Sequence, residues 1–166
     1  MNRMQEFLKE LNQESDTTQK MLSIVPNDKF DWKPHPKSMN LRQLTGHIAE
    51  LPSWIKMVMN TKELDFSQNP YTAPVFNNTK ELLGLFEKHL HEGREDLTAD
   101  KENLLDETWT LRNAEEIYLA APKASMIRHT LSQIIHHRAQ LGVFLRLLDI
   151  PIPGSYGPSA DEQEMN

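Results

Sequence analysis

The chain has 166 residues, of which 38% are hydrophobic, with a formal net charge of −6 and a mean hydropathy of −0.61. That length suits one domain with a real core, and the modest apolar supply must be gathered on one stripe of each element, as amphipathic helices do. The acidic balance argues against a nucleic-acid partner, and the lack of cysteine removes disulfides, thiolate ligands and a cysteine nucleophile.

Four segments carry a helical period. In the first, Met4, Phe7, Leu8, Leu11, Met21, Leu22 and Val25 recur at spacings of three and four, and Pro26 ends the run. Glu14 and Thr18 lie on the same stripe, so polar groups face the core there. The second opens at Asn40 with Gln43 in the capping-box position and continues through Leu44, Ile48, Leu51, Ile55 and Val58, with Pro52 bending it. The third begins near Asn78, with Glu81 in the capping position, and buries Leu82, Phe86, Leu90 and Leu97; Gly93 lets a neighbour approach closely. The fourth runs from about Pro122 to Asp149, with Ile127, Leu131, Ile134, Leu141, Leu145 and Leu148 along one line.

The connections are FDWKPHPKS (Phe30 to Ser38), a link around Asn69, Pro70 and Pro74, and a stretch from Asp100 to Ala121 whose pattern does not decide between a strand and a turn. The tail PIPGSYGPSADE, Pro151 to Glu162, is too rich in proline and glycine for regular structure. The expected fold is all-α: a four-helix bundle over residues 1–150 with long crossover connections, followed by an irregular tail over 151–166. No segment reaches the ~20 apolar residues that cross a bilayer, and MNRMQEFLKELNQ lacks the apolar run of a secretion signal. A cytoplasmic protein with no membrane partner is expected.

Chemistry concentrates in SQIIHHRAQL, Ser132 to Leu141. His137 falls between Ile134 and Leu141 on the apolar line, and Gln133 lies one turn before it. His136 is rotated by about 100° towards the face of His129 and Gln140. On the second helix His47 lies between Leu44 and Leu51, again inward. Two facing helices that each aim an imidazole at the interior form half of a metal site, with Gln133, Glu14 or Glu50 available to complete it. Spacing alone favours the blander alternative, in which the inward histidines are packed and hydrogen-bonded core residues and Glu14 pairs with Arg138 or a histidine. No Glu-x-x-His pair, His-Glu-x-x-His motif, nucleophile elbow or phosphate-cradling glycine loop occurs.

The segments FDWKPHPKS, LRQLTGHIAELPSW and IIHHRAQLGVFLRLLDIPIPGSYGPSADE together resemble the DinB-like family of bacterial damage-inducible proteins, in order and spacing. The resemblance implies a four-helix bundle, often a homodimer, that holds a divalent metal such as nickel or zinc with three histidines. Two of those positions fall on His47 and His137; the third falls on Gln133, where this chain departs from the pattern. It further implies a metal-dependent hydrolase, or a thiol S-transferase that activates a low-molecular-weight thiol against a small-molecule electrophile. The alternative is a metal-free binding or oligomerisation module with a buried polar network of histidines and Gln133.

Overall fold

The computed structural model describes residues 2–163. Helix α1 (Arg3–Ser23) opens on a full capping box between Asn2 and Gln5, and its chain leaves the helix just before Pro26. Helix α2 (Leu41–Glu50) begins with the Asn40/Gln43 capping box, in which each side chain takes the other's backbone N–H. Pro52 separates it from α3 (Ser53–Asn60), so the second bundle element is a broken helix. Helix α4 (Thr79–Glu95) is capped by Asn78, and α5 (Lys123–Leu147) follows Pro122 directly. Helix α1 and the α2–α3 pair each pack against both α4 and α5, which places them diagonally across the bundle. One apolar cluster runs through it, from Met4 and Leu11 on α1 to Ile134 and Leu141 on α5.

The all-α expectation is corrected by a three-stranded sheet inserted in the crossovers. Strand β1 (Glu63–Asp65) pairs in parallel with β2 (Thr108–Asn113), and β2 pairs antiparallel with β3 (Glu116–Pro122). The hairpin turns at Ala114, whose φ of 50° lies in the left-handed region, and its N–H is taken by Asp65 Oδ1 at 2.9 Å. The sheet is tied to the bundle by Trp109, fully buried, whose indole N–H donates to Thr61 Oγ1 at 2.9 Å. Leu64, Leu111, Leu119 and Ala121 also pack against the core, so this short sheet gains the helix packing that a small sheet needs.

Beyond Asp149 the chain folds back and forms one helical turn, α6 (Ala160–Gln163), among the described residues of a segment expected to be irregular. Asp161 accepts from Arg146 and from the Ile152 N–H, and these contacts hold its carboxyl down to about 2. Tyr156 reaches a buried ion pair between Arg138 Nη1 and Glu14 Oε2 at 2.7 Å; its hydroxyl lies 2.9 Å from both Glu14 oxygens and accepts from Arg138 Nη2. Arg138 also donates to the Glu14 carbonyl and to Thr18 Oγ1. The polar notch on α1 is thus matched by a charge on α5, as one of the sequence alternatives has it.

Gly93 sits where α4 crosses the Pro52 break, and a Cβ there would lie 2.5 Å from the Pro52 carbonyl oxygen, whereas one at Gly84 would meet nothing within 4 Å. Gly93→Ala is therefore expected to lower stability by about 1–3 kcal/mol in urea unfolding, and Gly84→Ala to raise it by roughly 0.5–1 kcal/mol. Arg138→Leu leaves Glu14 buried without its cation; a loss of about 3–5 kcal/mol is expected, largely recovered when Glu14 is also made apolar.

Candidate metal centre

The centre lies where α2 faces α5. The rings of His47 and His137 approach edge to face, with centroids 4.7 Å apart and planes at 81°. Both are half-buried. Each ring has an acceptor on Nδ1: Glu50 Oε1 at 2.7 Å from His47, and Gln140 Oε1 at 3.1 Å from His137. The Gln140 amide nitrogen meets His136 Nε2 at 3.1 Å, so the oxygen side of that amide faces His137. Acceptors at Nδ1 put the ring proton there and leave Nε2 as the coordinating atom of the neutral ring. Burial lowers the pKa of His137; the Gln140 hydrogen bond opposes this, and the neighbouring His47 and His136 act in the same direction as burial. The neutral ring, the form that binds metal, is therefore favoured.

Gln133 is one turn before His137 and half-buried, but its amide nitrogen is directed at His129 Nε2, 3.3 Å away. That contact occupies the nitrogen, and the amide oxygen is the atom through which Gln133 would reach an ion or a bound water. Among the described residues no three His, Cys, Asp or Glu side chains gather into a metal-binding group. The two carboxylates that could complete the set are engaged elsewhere: Glu14 pairs with Arg138, and Glu50 lies on the Nδ1 side of His47. Of the three positions expected from the sequence, the structure brings the two imidazoles together, while the Gln133 amide nitrogen faces His129. Two imidazoles suit a borderline ion such as zinc or nickel; an amide oxygen would be a weaker third donor.

Periodicity misses two features of the centre. On α5 the fully inward residue after Ile134 is Arg138, and His137 turns from the core line towards α2. The segment joining β1 to α4 brings Tyr71 over the site, where its hydroxyl donates to Glu50 Oε1 at 2.9 Å. Nothing in the sequence around Tyr71 signals this, because the contact spans 21 positions through irregular chain. Beside His47 opens a cleft of about 380 Å³, walled by Arg42, Trp54, Phe66, Tyr71 and Pro74 and mostly apolar. A second hollow of about 360 Å³ borders His137 and is lined also by Gln140 and Phe144.

The DinB family model matches residues 1–165. The chain belongs to the DinB family. It is 22% identical to the Bacillus subtilis protein YrdA over 160 residues, covering 94% of this chain and 89% of that protein. Among solved structures, the fold is similar to a DinB family member from Exiguobacterium sibiricum at a TM-score of 0.71 and 17% identity, covering 93% of this chain and 97% of the other. A Bacillus cereus DinB-like protein gives 0.69 at 20% identity, with 90% and 95% covered. A mycothiol-dependent maleylpyruvate isomerase gives 0.57 at 13% identity, with 86% of this chain and 63% of the other covered. No helix among the described residues is long and apolar enough to cross a membrane.

Tyr71 provides a spectroscopic check on the Glu50 link. Burial pushes its phenol up, and the hydrogen bond to Glu50 and that group's charge push it further, to about 12. A folded value above the ordinary one means that the contact stabilises below about pH 10 and that this contribution is lost as pH rises through about 12. In Glu50→Gln the phenolate absorbance titration is expected to move part of the way back towards 10. An unmoved titration contradicts the contact.

Proposed function

We propose that this protein is a divalent-metal-dependent enzyme that joins a low-molecular-weight thiol to a small electrophile, with His47 and His137 as the principal ligands and Gln133 as a weaker third. The observation that carries the proposal is the approach of the two imidazoles to 4.7 Å, each with an acceptor at Nδ1, beside an apolar cleft. A nickel or zinc ion held by His47 and His137 would supply positive charge that favours the anionic form of a thiol or water. Glu50 fixes the plane of His47 and leaves Nε2 towards the ligand side, while Tyr71 keeps Glu50 from turning away. Gln140 does the same for His137. The apolar walls limit water at the reacting group, which strengthens the electrostatic interactions made there.

The choice of a thiol is supported by the fold shared with the mycothiol-dependent maleylpyruvate isomerase. Hydrolysis is the variant in which water takes the place of the thiol. A metal-free binding module is the second reading, and the direction of the Gln133 amide nitrogen towards His129 favours it.

Protein purified without a histidine tag and stripped with chelator separates these. One nickel or zinc ion per chain is expected by calorimetry, with a stabilisation of about 2.7 kcal/mol at ~100-fold excess over Kd, seen as a raised melting midpoint. His47→Ala and His137→Ala abolish both effects, and Gln133→His tightens binding by roughly tenfold or more, because imidazole replaces a weak amide ligand. Absence of binding in both wild type and Gln133→His removes the enzyme reading and leaves the module.

A further inference from the structure

Arg42 is the second residue of α2 and the one permanently charged group among the described residues that line the cleft beside His47. Its guanidinium is held in place rather than free to wander. Nη1 donates to the Phe76 carbonyl at 2.6 Å, and the group stacks 4.8 Å from the Phe30 ring centroid and 5.6 Å from that of Phe76. Phe76 can lie this close because residue 46 is glycine: a Cβ there would meet Phe76 Cε1 at 3.1 Å. The ion pair Arg42 makes is with Asp31, 3.9 Å away and with a carboxylate side chain 93% exposed, too long for a hydrogen bond and well screened. Glu50, the nearby acid, is bound by His47 and Tyr71. A guanidinium has five N–H donors, and the Phe76 carbonyl takes one. The cleft is therefore lined by a fixed cationic fork whose donors are only partly used, together with Trp54, Phe66 and Tyr71.

We infer that this cleft binds a small planar carboxylate, with the carboxylate on the Arg42 fork and an apolar, unsaturated or aromatic body between Trp54, Phe66 and Tyr71. Guanidinium and carboxylate match as a two-bond pair, and flat apolar walls select a flat apolar body. The volume of about 380 Å³ suits a molecule of that size. That the carboxylate is the electrophile of the reaction rests on the function proposed above.

The test uses chelator-stripped full-length protein and two probes of equal shape, trans-cinnamate and its uncharged amide, measured by calorimetry. Cinnamate is expected to bind roughly tenfold or more tightly than cinnamamide and to raise the melting midpoint where the amide does not. Arg42→Gln removes the preference, and Arg42→Lys, which keeps the charge but loses the fork, retains part of it. Equal affinity for the two probes, or no binding of either, overturns the inference, as does a full preference in Arg42→Gln that melts like the wild type. If Arg42→Gln melts early, the wild-type comparison and Arg42→Lys decide. Since the stripped sample carries no metal, a lost preference leaves the metal reading standing. A retained preference without metal binding leaves an anion pocket and removes the enzyme.

Discussion

Two imidazoles stand 4.7 Å apart across facing helices, and the packing of the bundle is what holds them there. Side chains on separate helices keep such a distance only if neither helix can slide or roll. Axial position is set on one side by the Pro52 break and by Gly93, which lets α4 close against that break. Roll of α5 is set by Arg138, whose guanidinium is buried against Glu14, Thr18 and Tyr156. Adjacent residues on a helix differ by about 100°, so driving Arg138 into the α1 side of the core turns His137 towards α2. A buried ion pair is a weak source of net stability, but one geometry satisfies it, and here that geometry also orients a histidine.

The same economy of contacts appears around the rings. Glu50 and Gln140 each take one ring nitrogen, and burial disfavours the charged form of His137. Tyr71 links the site to the segment between β1 and α4, and the same segment supplies Phe66 and Pro74 to the cleft and Phe76 to hold Arg42 at its edge. The crossover that departs from a plain bundle is thus the part that shapes the pocket.

Much of the bundle was legible because helix signals are local. The Asn40/Gln43 box, Pro26, Pro52 and the cap at Asn78 all act within a few residues, and the structure places helix ends at each. The sheet was not legible: β1 has three residues, and its partner lies more than forty positions away, so no local pattern could specify the pairing. Family membership was legible as a resemblance of the quoted segments, and the family model bears it out. At the centre, His47 and His137 meet as their helices suggest, but by another route: Arg138 takes the inward position on α5 and His137 lies off the core line, half-buried against α2. The Glu14 and Arg138 pairing was one of the alternatives the sequence offered, and periodicity alone could not say which residue of that turn faces the core. Gln133 is the remaining limit, since spacing fixes its face of the helix and leaves the direction of its amide to its neighbours.

Diffraction from a crystal soaked in zinc, recorded at the zinc absorption edge, tests the centre most directly. The proposed centre predicts one strong anomalous peak per chain, bonded to Nε2 of both His47 and His137. Peaks confined to other histidines, or a map with none between those two rings, would contradict it.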